Sequence, residues 1–115
     1  MLPLGLITVL VVSACKKTEA TTAFDCTGVT PIYTADIKSI FDASCALSGC
    51  HDAGTKEQGY DLSNYAGAKA ASSKAALLGS IEHLSGYDAM PKGSGKLSDD
   101  KIKKISCWLD NGAPN

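Results

Sequence analysis

Residues 45–51 read CALSGCH, and the interpretation of the rest of this 115-residue chain starts from them. Two thiols, Cys45 and Cys50, are separated by four residues, and an imidazole, His51, directly follows the second thiol. Gly49 can adopt backbone angles that other residues avoid, so it can make the turn that such a spacer needs before the second cysteine. The stretch therefore combines two nucleophilic sulfurs with one metal-binding nitrogen.

This combination is typical of covalent haem attachment. In c-type haem proteins two cysteine sulfurs add to the vinyl groups on one edge of the porphyrin, and the adjacent histidine binds the iron. The usual motif has two residues between the cysteines, and the longer spacing found here occurs in some multihaem cytochromes. Cys45, Cys50 and His51 are thus predicted to hold one covalent haem c. Two alternatives stay open: a local Cys45–Cys50 disulfide beside a solvent-facing histidine, or half of a zinc site.

Apolar residues before this stretch recur with the period of a helix. Ile37, Ile40 and Phe41 stand at positions i, i+3 and i+4, which predicts a helix over about 34–44 with one buried stripe. Thr34 is the candidate N-cap of this helix.

The residues after the motif predict further helices and no strand. Residues 64–72 and 74–83 can both be helical, and 86–95 is predicted to be an extended loop because of its proline and glycines. Ser98 is predicted to cap the last helix, and Gly112 to end it. One apolar face of that helix is formed by Ile102, Ile105, Trp108 and Leu109. No segment alternates with a period of two, so the predicted fold class is all-α.

The N-terminus has the features of an export signal. Residues 1–14 are uncharged and mostly aliphatic, which fits the apolar part of a signal peptide but is too short to span a bilayer. The sequence VSAC that ends at Cys15 resembles the lipobox of bacterial lipoproteins, which implies lipidation of that cysteine. We therefore expect a signal peptide over 1–14, a lipid-anchored flexible tether over 15–31 and one domain over 32–115. The alternative is a buried N-terminal strand with an ordinary cysteine.

The five cysteines form an odd set, which in an exported chain needs an explanation. If Cys15 carries lipid and the CALSGCH thiols carry haem, Cys26 and Cys107 remain. A disulfide between these two would join the start of the domain to the last helix, and an oxidising compartment would permit it. Two free thiols are the alternative, because the sequence does not fix connectivity.

From about residue 32 to 113, the order of these features resembles the small class I type of bacterial cytochrome c. The resemblance implies about three to five helices around one covalent haem. In that family the second axial ligand is a methionine in a loop before the last helix, often followed by proline, and Met90 and Pro91 hold this place. The resemblance thus implies His51 and Met90 as the iron ligands. His83, the only other histidine, is the alternative distal ligand. A histidine there would lower the reduction potential.

The function predicted from the resemblance is that of a monomeric, membrane-tethered single-electron carrier, exported to the periplasm or cell surface, and not an enzyme. One alternative is a haem protein with an open sixth position, acting as a peroxidase or gas sensor. The other is a haem-free, disulfide-stapled lipoprotein that binds a partner.

Charge bears on the partners of this protein. The net charge of −1 and the pI near 6.0 leave no basic surface for nucleic acid. Five lysines gather around the methionine loop and the last helix, where they could attract an acidic redox protein. An ordinary solvated surface with interspersed aspartates is the alternative. These lysines are Lys92, Lys96, Lys101, Lys103 and Lys104.

Overall fold

The residues that the structure describes form four short α-helices. A computed structural model of the protein describes residues 19–73 and 75–115. The helices are α1 (Lys38–Ser44), α2 (Tyr65–Ser72), α3 (Ala76–Ile81) and α4 (Asp99–Asp110). A π-helical turn, Tyr33–Ile37, leads into α1, and a 3-10 turn, Glu57–Gly59, lies between α1 and α2. Within the described ranges there is no strand, and the all-α fold class is confirmed.

The core forms where α4 meets α3 and the first helical segment, which is the π-helical turn together with α1. Ile102, Ile105 and Trp108 of α4 are almost completely buried, as are Ile37 and Phe41 of the first segment. The Phe41 ring packs edge-on against Trp108, with 6.1 Å between ring centroids, a favourable geometry for aromatic pairs. The two apolar stripes expected from the sequence therefore face each other.

The C-terminal residues fold back onto this core. Gly112 takes a φ of +84°, which reverses the chain after α4. The indole Nε1 of Trp108 then donates a hydrogen bond to the Pro114 carbonyl (2.8 Å), and the Tyr65 hydroxyl donates to the Ala113 carbonyl (2.8 Å). These bonds connect α2 to the end of α4.

The predicted N-cap of the first helix is wrong. Thr34 lies inside the π-helical turn, and its hydroxyl donates to the Asn115 side chain (3.0 Å). The residue before the turn is Ile32, whose extended backbone is held by its amide donating to the Asp36 carboxylate (2.9 Å). The π-helical turn is thus held by the Asp36 carboxylate, four residues after Ile32, and not by a hydroxyl group at its start.

The other helix boundaries lie close to the expected ones. The Asn64 side chain accepts a hydrogen bond from the Gly67 amide (2.9 Å), so α2 has a side-chain N-cap. Ser98 precedes α4, yet its hydroxyl makes no capping bond. Helix α3 is shorter than the predicted 74–83, because the chain leaves helical geometry at His83, where φ is +56°.

Within the tether expected over 15–31, the residues that the structure describes make hydrogen bonds to the domain. The Thr22 amide donates to both carboxylate oxygens of Glu82 (3.2 and 3.0 Å). The Glu19 amide donates to the Ser85 carbonyl (3.1 Å), and the Ser85 amide donates back to the Glu19 carboxylate (3.0 Å). The bonds from Glu19 and Thr22 to the domain are donated by backbone amides, which leave no periodic pattern in the sequence. We call residues 19–26 the strap.

A disulfide holds the C-terminal end of the strap. Cys26 and Cys107 are joined, with their Cα atoms 5.5 Å apart and a sequence separation of 81. Cys107 is fully buried on α4. The strap is therefore covalently linked to the helix at the centre of the core.

Candidate functional site

The CALSGCH stretch forms a compact loop at the C-terminal end of α1. Cys45 ends the helix, with its amide donating to the Phe41 carbonyl (2.8 Å). The His51 amide returns to donate to the Cys45 carbonyl (3.1 Å), which closes the loop. Gly49 takes a φ of +82° within it. The four-residue spacer is thus accommodated by one left-handed glycine, as its position indicates.

The two thiols of this loop differ in exposure. Cys50 is exposed and Cys45 is half-buried, and neither forms a disulfide. Burial raises the pKa of the Cys45 thiol to about 11, with a smaller contribution from the neighbouring Cys50. The local disulfide that the sequence left open does not form, so both sulfurs remain available for another bond.

His51 is held by its backbone and its ring neighbour. Its carbonyl accepts the Leu62 amide (2.8 Å), and its ring lies edge-on to Tyr60, with 6.0 Å between centroids. The Nδ1 atom is buried and has no hydrogen-bond partner among the described residues. A buried ring nitrogen without a partner is costly in a purely structural histidine. His51 also lines a cavity.

That cavity brings the predicted haem residues together. It has a volume of about 680 Å³, within the range of small-molecule and cofactor sites. Cys45, Cys50, His51 and Met90 all line it. Its apolar walls come from α2, α3 and the loop before α2, and include Leu62, Ala71, Leu77 and Ile81.

Met90 reaches the cavity from a long loop. The Met90 amide donates to the Ser80 carbonyl on α3 (3.0 Å), and its half-buried side chain packs against the core. His83, the alternative ligand, is exposed and does not line the cavity. Its Nε2 lies 2.9 Å from the Met90 carbonyl oxygen. Met90 thus lines the cavity, whereas His83 does not.

Tyr87 is a wall residue that sequence patterns do not single out. Its ring packs directly on the backbone of Gly79, where an added Cβ would lie 2.5 Å from the ring. Only the pairing of a glycine on α3 with an aromatic residue in the following loop could have indicated this contact. The close approach holds the loop of Met90 against α3.

These residues fit a covalently bound haem. Two free thiols, an imidazole with a buried unpartnered nitrogen and a thioether share one largely apolar cavity. Within residues 19–73 and 75–115, no three His, Cys, Asp or Glu side chains come together to bind a metal ion. The described residues therefore supply no partner ligands for the half zinc site that the sequence left open. The Cys15 prediction lies outside the described residues.

Comparison with known proteins identifies the family of this domain. Residues 34–109, more than half of the chain, match the family described as cytochrome C oxidase, cbb3-type, subunit III. No curated protein and no solved structure matches significantly. Among the described residues, no helix has the length and apolar character needed to cross a membrane.

Proposed function

We propose that this protein is a membrane-tethered single-electron carrier with His51 and Met90 as the iron ligands. The chain belongs to this family of cytochrome c domains. It is therefore a haem c electron-transfer protein and not an enzyme. Cys45 and Cys50 are the proposed attachment points. The observation that carries the proposal is the shared cavity: both thiols, the imidazole and the thioether line it, while His83 does not.

The chain's own residues have distinct roles in this proposal. Cys45 and Cys50 would hold the haem by two thioether bonds, in which each S–H has added across one vinyl group with sulfur on one carbon and hydrogen on the other, so that no oxidant would be needed. His51 and Met90 would both hold the iron, which would leave no place on it for a substrate. Leu62 and Ile81 keep water away. When bound, the haem supplies an iron that gains and loses one electron, and Met/His ligation raises its potential.

Visible spectroscopy of the haem-loaded protein tests the distal ligand. We expect the oxidised protein to show the sulfur-to-iron charge-transfer band near the red end of the spectrum. Met90→Ala should abolish this band, whereas His83→Ala should retain it, because the Met90 amide still donates to the Ser80 carbonyl in that variant. A protein that loses six-coordination in His83→Ala and keeps it in Met90→Ala would refute the proposed ligation.

Carbon monoxide separates the carrier from a haem protein with an open sixth position. If Met90 occupies that position, the reduced wild-type protein should not bind carbon monoxide at neutral pH, and Met90→Ala should bind it readily. Rapid binding by the wild type would favour the peroxidase or gas sensor.

The tether is the second part of the proposal. Cytochrome c domains are typically exported, and the VSAC sequence ending at Cys15 supports lipidation of that residue, with the protein held at the periplasmic or cell-surface side of a membrane. A radioactive fatty acid should label the wild type and not Cys15→Ser. Absence of label in the wild type would refute the anchor but leave the haem site unaffected.

The proposed partner is an acidic redox protein, which the monomer meets through its lysines. Lys92 lines the cavity beside Met90, so positive charge lies close to the haem position. The family description names an oxidase subunit, which makes a membrane oxidase one candidate partner. Rates of electron transfer should fall as salt rises, and Lys92→Glu should reduce the salt dependence. Rates that are independent of salt would exclude this steering.

A further inference from the structure

We propose that the strap, residues 19–26, positions the loop that carries Met90 and so controls how firmly the distal ligand stays in place. The inference rests on the proposed ligation by Met90. It concerns a segment that precedes residues 34–109, the part of the chain that matches the family.

The strap meets the domain at a buried acid. Glu82, directly after α3, is only 6% exposed, and the Thr22 amide donates to both of its carboxylate oxygens (3.2 and 3.0 Å). Burying a carboxylate is unfavourable unless hydrogen bonds compensate for the lost water. Loss of the Thr22 amide would therefore push Glu82 towards solvent and disturb the end of α3.

The end of α3 is also where Met90 is held. Ser80 accepts the Met90 amide (3.0 Å), and the His83 ring lies against the Met90 carbonyl oxygen (2.9 Å). Glu82 stands between these two residues. The amide and the carbonyl of Met90 thus both contact the four-residue segment 80–83. The strap binds this segment at Glu82.

The strap is fixed at two further points. Glu19 exchanges two hydrogen bonds with Ser85, three residues beyond Glu82. At its other end, Cys26 is bonded to Cys107 on α4. The strap can therefore hold the end of α3 relative to the core.

By holding the loop of Met90, the strap should lower the fraction of molecules in which Met90 has left the iron, compared with a protein without the strap contacts. An external ligand binds only to those molecules, so its apparent affinity measures their fraction. Imidazole is a suitable probe, because it competes with the thioether for the sixth position.

The test uses the complete haem-loaded protein and two matched pairs. Thr22→Pro removes the strap amide, since proline has no N–H, whereas Thr22→Ala keeps it. Glu82→Ala removes both acceptor oxygens, whereas Glu82→Gln keeps one. Thr22→Pro and Glu82→Ala should bind imidazole about tenfold more tightly and lower the midpoint potential, as expected for loss of a hydrogen bond to a buried group. Thr22→Ala and Glu82→Gln should stay close to the wild type.

The same measurement in the Met90→Ala background isolates the loop. Without a thioether to displace, Thr22→Pro should no longer change imidazole affinity. If it raises the affinity equally in both backgrounds, or in neither, the strap does not position Met90 and this inference is overturned. If Met90→Ala itself leaves imidazole affinity unchanged, the proposed ligation fails, and the strap inference fails with it.

Discussion

At the scale of single residues, the unusual four-residue spacer depends on Gly49. Its φ of +82° lies in the left-handed region, and an added Cβ would meet no atom within 4 Å. Any cost of substitution there is therefore conformational and not steric.

We expect Gly49→Ala to destabilise the loop by about 1 kcal/mol and to lower the fraction of chains that carry covalent haem. Gly95→Ala is the matched control, because its Cβ also has open space and its φ is not positive. Mass spectrometry gives the haem-bearing fraction, and thermal unfolding gives the stability. Equal results for the two variants would show that the spacer does not need a left-handed residue.

The left-handed turn at Gly49 and the apolar stripes were predicted from the sequence and are found in the structure, whereas the hydroxyl caps at Thr34 and Ser98 are not. CALSGCH, Met90 and the apolar stripes have fixed spacings, so they could be recognised without coordinates. Thr34 could not be rejected as a cap, because Asn115, the acceptor of its hydroxyl, comes from the distant end of the chain. The burial of Glu82 was equally hidden, since its partner is a backbone amide 60 residues away.

At the scale of elements, α2 begins on a small polar network. The Asp61 carboxylate accepts hydrogen bonds from the Ser63 hydroxyl (2.5 Å), the Ser63 amide (3.0 Å) and the Asn64 side chain (3.0 Å). The bonds from Ser63, the side-chain bond first, hold the pKa of Asp61 below its ordinary value of 3.8. The charged carboxylate thus favours the folded state.

Because the pKa of Asp61 is depressed, its contribution to stability is complete above pH 3.8 and is lost as the pH falls through the lower, folded-state pKa. Asp61→Asn should therefore lower the thermal midpoint at neutral pH and flatten its fall below pH 3.8. Thermal unfolding followed by circular dichroism from neutral to strongly acidic pH checks this. Parallel curves for wild type and variant would contradict the assignment.

The end of α3 gives a steric prediction. Gly79→Ala would place a Cβ 2.5 Å from the Tyr87 ring, so the ring and its loop must shift. We expect a loss of about 1–3 kcal/mol, typical of overpacking, together with a weaker charge-transfer band. Visible spectra and thermal unfolding measure the two effects. An unchanged band would show that Tyr87 does not hold the Met90 loop.

At the scale of the whole molecule, a thin core is supplemented by covalent links. The buried hydrophobic cluster has one tryptophan and one phenylalanine, and the Cys26–Cys107 disulfide closes a loop across 81 residues. Covalent haem would add a large apolar surface and two further links. The sequence could suggest the disulfide but not the hydrogen bonds that make the strap part of the folded domain.

Removing the disulfide with Cys26→Ala and Cys107→Ala together should cost about 2–5 kcal/mol of stability. With the haem iron held in the reduced state throughout, a thiol reductant should lower the thermal midpoint of the wild type towards that of the double variant and leave the variant itself unchanged, because thioether bonds to haem are not reduced. A wild-type midpoint that is insensitive to reductant would show that the link does not stabilise the fold.

The central claim is that Cys45, Cys50 and His51 hold a haem, and mass spectrometry of the peptide containing residues 45–51 tests it most directly. In protein matured in a host with working haem-ligation machinery, we predict that this peptide carries the full mass of one haem, bound through both sulfurs. An unmodified peptide from colourless protein would contradict the account.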